Sequence, residues 1–505
     1  MSFRVNKEVN GTTYVYETTG YWDKDKKQSR HKRVYLGKLD KETGEIIPPK
    51  KNDIVVPKLS KNYGNFFVID KIANNIGLTD ILKSVFKDTW SEIITCAFYE
   101  ICEKKPWYLI DDWMEETNNI SKKNLNSQRI SELLKSITEE DRMKFFRSWS
   151  NLRSENECIA FDITSISSYS KLIECVERGY NRDGENLPQI NMGMLFGETS
   201  LLPIFYKIYP GSIKDVNTIA NMLKLSAFLK IEKMKFVLDK GFFSESNIDN
   251  IVSDGKNYQF TVSVPFSTKF AKNAVNSVYE EIKSPINTIM VNSDIIQAVT
   301  KIQKWKTKRV YVHTYFNNRK HAKEQEDFLK MLLKWEKELK ENSLLKSNEK
   351  KYKKYFTTRK TKNGISVKRK ENAIVESLKN KGFLVILTNN IKSAEQALEV
   401  YRNKDVVEKA FDNIKNELDL ERLRIHSDKA MDGRIFIAFI SLIMQSHIHK
   451  VMKENNLYKK YSIEKLIMEL KKIKIFELSN GKKMISEISK KQRDILKAFN
   501  ISEMS

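Results

Sequence analysis

The sequence predicts an α/β protein, in which a layered domain with a mixed five-stranded sheet follows an all-helical region. Two patterns indicate this fold class. From Asn65 to about Trp149, apolar residues recur at spacings of three and four, which is the helical period. From about residue 157, apolar strand-like stretches alternate with amphipathic ones in the order three strands, helix, strand, helix, strand.

The N-terminal part of the chain has two different patterns. Residues 1–60 are polar and basic, and the stretches TTYVYETTGYWD and KRVYLGKLD alternate like short strands before a Pro-containing linker. Residues 61–150 carry the helical period, for example in DTWSEIITCAFYEICEK. We therefore expect a basic segment with short strands, followed by a small helical bundle.

The α/β region begins with residues 155–265. Its apolar stretches predict five strands: CIAFDITSIS, PQINMGMLF, LLPIFYKIYPG, MKFVLDKGF and NYQFTVSVP. Two helices separate the later strands. DVNTIANMLKLSAFL has an Asp near its start, and SESNIDNIVSDG is bounded by a Ser and a Gly, which are typical residues of helix ends.

A long basic segment, residues 266–382, follows the fifth strand. Residues 301–370 alone carry 23 Lys and Arg against 7 Asp and Glu, an excess of 16 positive charges. One stretch, QEDFLKMLLKWEKELKENSLL, has the helical period, and another predicts a hairpin around Asn363-Gly364. This segment supplies most of the chain's net charge of +24.

The chain then returns to apolar elements. Residues 383–450 contain the strand sequence FLVILTNN, a helix from about Ser393 and a second, apolar helix, and residues 451–505 read as an amphipathic helix with a basic tail. The longest apolar run, residues 435–444, is too short to span a bilayer, and the N-terminus has no apolar signal region. The sequence predicts a cytoplasmic protein with no membrane partner.

The net charge of +24 favours a nucleic-acid partner, because Lys and Arg release counter-ions from a phosphate backbone when they bind it. A lysine-rich composition without such a partner is the alternative. The four cysteines form no CxxC pair, which disfavours a zinc site and a disulfide framework.

Two aspartates in the α/β region are candidates for chemistry. Asp162 lies within an apolar strand, where a charge costs several kcal/mol unless it is paired or bound to a metal. Asp239 ends another apolar strand, and ligands of open α/β sheets bind beyond strand ends. Each Asp alone is explained by a strand-end cap or a turn. Together, they predict an oxygen-only site for a hard cation such as Mg²⁺.

The helix YRNKDVVEKAFDNIK, residues 401–415, has charged residues beside its apolar face. At about 100° per residue, Tyr401, Lys404, Glu408 and Lys415 fall within roughly 60° of arc. Snorkelling lysines and an ordinary pair between Lys404 and Glu408 are one explanation. The other is a helix that packs on the sheet edge, with Glu408 as a third metal ligand and the basic residues on DNA.

These residues resemble the DDE triad of bacterial insertion-sequence transposases. Asp162 in FDITSIS, Asp239 in LDKGF and Glu408 in Y-x2-K-x3-E-x6-K resemble the insertion-sequence-4 superfamily, whose last motif is Y-x2-R-x3-E-x6-K. The N-terminal YWDKDKKQSRHKRVYLGKLDKETGEIIP is similar to the opening of the insertion-sequence-1634 branch. Lys404 departs from the family's Arg, and a Lys contacts phosphate as a point charge without the bidentate fork.

The resemblance implies a domain organisation. An RNase-H-like catalytic core, residues 155–265 and 383–450, would be interrupted by a basic insertion domain at 266–382. The gap of 169 positions between Asp239 and Glu408 leaves room for that insertion. A helical DNA-binding region would precede the core at residues 61–150, after the basic segment 1–60, and a helical region, 451–505, would end the chain.

The resemblance also implies a mechanism of two-metal phosphoryl transfer. Asp162, Asp239 and Glu408 would be the catalytic residues and would hold two Mg²⁺ ions, for which Mn²⁺ can substitute. The residues implied to contact DNA are Tyr401, Arg402, Lys404 and Lys415. The partners would be double-stranded DNA, as transposon ends and target, and a second copy of the chain, in a nucleoid-associated complex in the bacterial cytoplasm. A domesticated DNA-binding protein and a structure-selective nuclease on the same fold are the alternatives.

Overall fold

The computed structural model describes residues 2–49, 56–153, 158–181, 185–197, 199–228, 235–253, 258–361, 364–403, 422–423 and 427–504. The chain divides into two compact units. Unit 1 comprises Met1–Ser60 and Phe476–Met484, and unit 2 comprises Lys61–Ile475 and Ile485–Ser505. Each unit has its own sheet structure and is described separately.

Unit 1 contains an antiparallel sheet with the strand order β1-β2-β3-β4. Its strands are β1 (Ser2–Val9), β2 (Thr12–Asp23), β3 (Gln28–Leu39) and β4 (Ile46–Ile47). The sequence predicted short strands here, whereas β2 and β3 have 12 residues each. A further strand, β5 (Pro57–Asn62), follows.

Unit 2 begins with six helices, which coincide with the stretch of helical period. They are α1 (Gly64–Asn75), α2 (Leu78–Val85), α3 (Trp90–Glu103), α4 (Ile110–Glu116), α5 (Ser127–Ser136) and α6 (Glu139–Arg153). Helix α5 begins after Asn126, whose side-chain oxygen accepts a hydrogen bond from the backbone N–H of Arg129 at 2.9 Å. This stretch is helical in the structure, and its role as a DNA-binding region stays a prediction.

A large mixed sheet follows in unit 2. Among the described residues it has ten strands, in the order β11-β12-β13-β16-β10-β9-β6-β7-β8 with β17 paired to β6. These strands are β6 (Cys158–Ser168), β7 (Gln189–Gly197), β8 (Pro203–Pro210), β9 (Lys235–Leu238), β10 (Gln259–Ser263), β11 (Thr288–Val291), β12 (Asp294–Trp305), β13 (Lys308–Phe316), β16 (Phe383–Thr388) and β17 (Arg422–Leu423).

The sheet contains the five predicted strands as consecutive neighbours, β8-β7-β6-β9-β10. The first three are antiparallel, whereas β9 is parallel to both β6 and β10. The sheet is wider than predicted because β16 pairs with β10 and β13 with β16, so that strands of the basic segment continue the same hydrogen-bonded ladder. The prediction of a mixed α/β fold is confirmed.

Helices flank this sheet. They are α7 (Ile219–Phe228), α8 (Glu245–Ser253), α9 (Lys269–Asn276), α10 (Asn318–Lys340), α11 (Glu349–Tyr355), α12 (Glu371–Lys379) and α13 (Ala394–Arg402). Helices α10 to α12 enclose a small separate core together with the hairpin of β14 (Phe356–Thr361) and β15 (Gly364–Arg369). Trp335 and Tyr355 stack in that core with ring centroids 5.8 Å apart.

The central helix α14 (Asp428–Glu454) extends the apolar run that the sequence predicted to be too short for a membrane span. By length and composition, this helix is able to cross a bilayer. However, 83% of its most apolar window is buried inside the protein, which is typical of a core helix. The Ser427 hydroxyl caps its start by accepting a hydrogen bond from the backbone N–H of Ala430.

The C-terminal region contains helices and strands, whereas the sequence predicted a helix and a tail. Its elements are α15 (Ile463–Lys471), β18 (Lys474–Leu478), β19 (Lys483–Ile485) and α16 (Lys490–Ala498). Strands β18 and β19 form a three-stranded sheet with β5. Because β5 comes from the other end of the chain, no local pattern in the C-terminal sequence announces this pairing.

A buried ion pair joins helices α3 and α14. Glu100 on α3 is 4% exposed and forms a salt bridge with Arg434 on α14. The Ser441 hydroxyl donates a hydrogen bond to the same carboxylate at 2.6 Å, and the Arg434 guanidinium lies 4.2 Å from the ring centroid of Trp107. Burial raises the pKa of Glu100, and Arg434 opposes that rise. Arg434 and Ser441 therefore offset part of the cost of burying this carboxylate between two helices of the core.

We predict that Arg434→Met lowers the free energy of unfolding by about 3–5 kcal/mol at neutral pH, because the buried carboxyl group of Glu100 loses the partner that offsets its burial. Burial raises the pKa of Glu100 in the folded state, so the folded chain binds a proton that the unfolded chain releases. The free energy of unfolding of the variant therefore falls as the pH rises above about 4.3, the ordinary value for Glu. Urea denaturation at pH 5 and pH 8 measures the difference.

The matched control is Lys144→Met, which removes one partner of the exposed pair between Lys144 and Glu140. We expect little change in its stability at either pH. A loss in Arg434→Met that is equal at the two pH values would contradict the assignment of the loss to Glu100.

Candidate active site

Two aspartates lie at the same level on neighbouring parallel strands. The register of β6 and β9 pairs Ala160 with Val237, and Asp162 and Asp239 each follow two residues later. Asp239 continues the direction of β9 in an extended conformation. Because side chains alternate with a period of two, both carboxylates project from the same face of the sheet, on strands about 4.8 Å apart. The structure brings together the two aspartates that the sequence singled out.

Local sequence explains why each aspartate is held firmly. Strand β6 is apolar around Asp162, and its neighbours Phe161 and Ile163 are each 1% exposed. Asp162 itself is only partly buried, and its Oδ1 accepts a hydrogen bond from the backbone N–H of Ile163 at 2.8 Å. Asp239 is partly buried directly after Leu238, which is fully buried. Both carboxylates therefore lie at the margin between a packed strand and solvent.

Helix α13 adds a tyrosine to this site. The Tyr401 hydroxyl donates a hydrogen bond to Asp239 Oδ1 at 2.7 Å. The helix is fixed at its start by Ser393, which caps it, and by Tyr315, whose hydroxyl donates to the Ala394 carbonyl at 2.8 Å. The sequence predicted that Tyr401 contacts DNA. In the structure its hydroxyl orients a carboxylate, and a DNA contact through the rest of the ring stays a prediction.

Arg402, the next residue, lies in a different environment. Its guanidinium donates to the Val291 carbonyl at 3.2 Å and forms an ion pair with Asp294 at 3.0 Å. These contacts hold the end of α13 against the turn between β11 and β12. The predicted DNA contact of Arg402 would compete with this pair, and it stays a prediction.

The remaining predicted site residues, Lys404, Glu408 and Lys415, lie outside the described residues. The chain on either side of them is described. Helix α13 ends at Arg402, one residue after the tyrosine that contacts Asp239. Strand β17 then pairs Arg422 with Ser167, on the same strand as Asp162. One flank of this segment therefore contacts Asp239, and the other lies on the strand of Asp162, five residues further along it.

One further carboxylate close to the site was missed in the sequence. Asp215 was interpreted only as a residue near a helix start. In the structure, a Cβ added to Gly241 would lie 3.2 Å from Asp215 Oδ2, so this carboxylate lies against the turn that follows Asp239. The Asn247 amide holds the two turns together by donating to the carbonyls of Val216 and Phe242 at 2.8 and 2.9 Å. In the sequence, the sign of this close approach is Gly241, which has no side chain and lies two positions after Asp239.

A basic cleft begins at Lys240, the residue after Asp239. Its volume is about 600 Å³, and it lies between the end of β10, the start of β16 and helices α9, α10 and α12. Five lysines line it: Lys240, Lys272, Lys320, Lys354 and Lys381. Glu376 and Glu324 pair with two of these lysines, at 3.4 and 3.9 Å. The other three have no acidic partner in the part of the chain that the structure describes.

The oxygen ligands of this site suit a hard divalent cation. Two carboxylates project side by side, and one of them is oriented by a tyrosine hydroxyl, as is typical of the hydrogen-bonded surroundings of metal ligands. Within the described ranges, no three His, Cys, Asp or Glu side chains converge on one point.

Residues 153–444 match a family model described as a transposase DDE domain, and this range is more than half of the chain. The chain belongs to the DDE transposase family. The family consists of enzymes that cleave and transfer DNA and that generally use divalent metal ions. Among curated proteins, no transposase or other sequence matches the chain significantly.

The transposase is also similar to a solved structure, the cryo-EM structure of piggyBac transposase in a synaptic complex with hairpin DNA. The sequence identity is 12%, and the similarity covers 80% of this chain and 70% of that chain. The TM-score is 0.37.

The sequence predicts that Asp239 is a metal ligand, and loss of a group that orients a metal ligand typically costs about 10- to 100-fold in affinity or activity. We therefore predict that Tyr401→Phe weakens metal-dependent cleavage by about this factor. The defect should shrink as the Mg²⁺ or Mn²⁺ concentration rises, which a metal titration of the cleavage rate measures. Tyr315→Phe is the matched control, since it removes a tyrosine hydroxyl of β13 that holds the start of the same helix and does not contact Asp239. Equal metal dependence in the two variants would contradict the assigned role.

Proposed function

We propose that this DDE transposase moves an insertion sequence of the insertion-sequence-4 superfamily, in the insertion-sequence-1634-like branch. It binds the terminal inverted repeats and catalyses strand cleavage and strand transfer, with Asp162, Asp239 and Glu408 as catalytic residues. The proposal rests on one observation. Asp162 and Asp239 lie at the same level on adjacent parallel strands, in a chain that belongs to this family.

The proposed catalytic core is RNase-H-like. The consecutive strands β8-β7-β6-β9-β10, three antiparallel and two parallel, support this proposal. In such a mixed sheet, the central strand β6 and its parallel neighbour β9 bring side chains to one edge, where Asp162 and Asp239 lie. The basic segment that follows β10 is the proposed insertion.

Glu408 is the proposed third carboxylate. The motif Y-x2-K-x3-E-x6-K supports it, as do the flanks of its segment. Tyr401 begins this motif and contacts Asp239, while Arg422, beyond its end, pairs with the strand of Asp162. The contact between Tyr401 and Asp239 thus joins the start of this motif to the proposed site.

Asp162, Asp239 and Glu408 would hold two divalent ions, Mg²⁺ or Mn²⁺, which when bound supply an activated hydroxyl nucleophile and charge neutralisation at the scissile phosphate. The chain's own residues do the positioning. Tyr401 fixes the rotamer of Asp239 through its hydroxyl. The lysines of the basic cleft, which starts beside Asp239, would hold the phosphates of the strand on either side of the cut.

The proposed partners are double-stranded DNA and a second copy of the chain. Paired-end cleavage would require the dimer in the DNA complex, and Lys404 and Lys415 would contact the backbone near the cut. The proposed location is the bacterial cytoplasm, in association with the nucleoid. Lys404 replaces the family's Arg, and a lysine there would bind one phosphate oxygen as a point charge.

The test is cleavage of a duplex that carries the element's own terminal repeats. We predict that Asp162→Asn, Asp239→Asn and Glu408→Gln each abolish Mg²⁺-dependent strand cleavage and leave end binding largely intact, because the carboxylates hold the ions and the duplex is held elsewhere. Mapping the cut on each strand and measuring binding by gel shift give the two results. Asp494→Asn, on the exposed side of α16, is the matched control and should cleave normally.

Three outcomes separate the alternatives. Full cleavage by any one of the triad variants would overturn the assignment of that residue. End-specific binding by the wild type without cleavage in Mg²⁺ or Mn²⁺ would indicate a domesticated DNA-binding protein. Cleavage of branched or flapped duplexes without any preference for the terminal repeats would indicate a structure-selective nuclease.

A separate prediction concerns the basic cleft. We expect Lys240→Gln/Lys354→Gln/Lys381→Gln to reduce the slope of log affinity against log salt concentration by about 2–3, because each phosphate contact contributes about 0.9. The matched control, Lys490→Gln/Lys491→Gln/Lys497→Gln, removes the same charge from exposed positions of α16. Equal slopes in the two triple variants would contradict a role of the cleft in binding the backbone.

A further inference from the structure

We propose that the distal half of the β2–β3 hairpin in unit 1 is a DNA-binding ribbon that inserts into a groove of the duplex. The ribbon comprises residues 21–34. This inference rests on the proposed function in so far as the duplex is a transposon end. It names a surface that neither the DDE domain nor the basic cleft contains.

The ribbon is exposed on both of its faces. From Tyr21 to Val34, every residue except Asp23 is exposed. The two aromatic residues, Tyr21 and Trp22, are 47% and 63% exposed, and because they are adjacent in a strand they project from opposite faces. A β-strand that belongs to a core has at least one buried face. Apart from an edge contact between the rings of His31 and Phe3, this part of the hairpin therefore contributes little to the packing of its own unit.

The charge of the ribbon is strongly positive. Six Lys and Arg face two Asp in residues 21–34. The cations are spread over both faces, since Arg30 and Lys32 pair opposite Tyr21 and Thr19, while Arg33 lies on the other face. Three further lysines, Lys24, Lys26 and Lys27, lie at the tip.

The tip of the ribbon is structurally defined. Asp23 Oδ1 accepts hydrogen bonds from the backbone N–H groups of Asp25 and Lys26, both at 3.1 Å, and its other oxygen lies 3.5 Å from Arg30. Lys27 adopts a positive φ of 46°, which closes the turn. The acidic residue of this turn thus serves the turn geometry, and the lysines around it point into solvent.

These features fit one partner, the groove of a DNA duplex. The major groove is about 12 Å wide and admits a two-stranded β-ribbon. A ribbon in a groove has phosphates on both sides, which matches cations on both faces, and exposed aromatic rings provide contact with sugars and base edges. A second protein copy would instead favour one apolar face and a neutral surface.

The experiment compares two full-length variants in a binding assay with a fluorescent terminal-repeat duplex, without divalent ions. The ribbon variant is Arg30→Gln/Lys32→Gln/Arg33→Gln. The control is Lys490→Gln/Lys491→Gln/Lys497→Gln, which carries the same change in charge at exposed positions of α16. We expect the ribbon variant to lose about 10- to 100-fold in affinity and about 2–3 in salt slope, with the control close to wild type. Thermal unfolding confirms that both variants are folded.

A second measurement, dimethyl sulfate protection of the guanine N7 atoms in the major groove, tests insertion into the groove. We expect wild type to protect a patch of guanines that becomes reactive in Trp22→Ala. A ribbon variant with the affinity and salt slope of the control would overturn the inference. Unchanged DNA affinity with an altered oligomeric state in light scattering would also overturn it, since the ribbon would then be a protein contact.

The same data separate this inference from the proposed function. The control variant should cleave at the wild-type rate, because both its carboxylates and its ribbon are intact. If wild type binds duplexes through the ribbon but never prefers or cleaves terminal repeats, the proposed function is wrong and the DNA-binding role of the ribbon is supported. If wild type cleaves the terminal repeats and the ribbon variant binds them normally, the DNA-binding role of the ribbon is wrong and the proposed function is supported.

Discussion

The parallel pairing of β6 with β9 is the constraint on which the proposed catalytic site depends. A slip of one residue in that register would turn one of the two aspartates to the opposite face, because side chains alternate with a period of two. The register is held by apolar packing on both faces of the strands, with Phe236, Val237 and Leu238 each at most 1% exposed. The apolar core that packs against these strands therefore fixes the relative position of the two aspartates.

Helix α13 positions the tyrosine of the site relative to the two strands. Its tyrosine contacts Asp239, its arginine is bound to the β11–β12 turn, and its start is fixed by Tyr315 of β13. Two of these three anchors are elements of the basic segment. That segment therefore supports the catalytic face as well as providing positive charge, and its strands cannot be removed without exposing the edge of β16.

Sequence alone predicted the mixed sheet, the helical region before it and the residues Asp162 and Asp239, because strand period and a charge in an apolar run are local signals. It did not predict that β11–β13 widen the sheet, that β18 and β19 pair with β5, or that Asp215 lies against Gly241. Each of these depends on segments far apart in the chain, and a local pattern carries no information on which distant strand is its partner. Arg402 shows the same limit, since its partner Asp294 is 108 residues away.

The excursion of the chain from β13 to β16 has an evolutionary consequence. Phe316, the last residue of β13, pairs directly with Phe383, the first of β16, so the intervening helices and hairpin leave and re-enter the sheet at adjacent points. The sheet therefore places no constraint on the length of what lies between them, because a loop with adjacent ends costs little more when it is lengthened. The small core of Trp335 and Tyr355 is self-contained within this excursion. Related enzymes can lengthen, shorten or replace it and so acquire new DNA contacts while the geometry of the two aspartates stays the same.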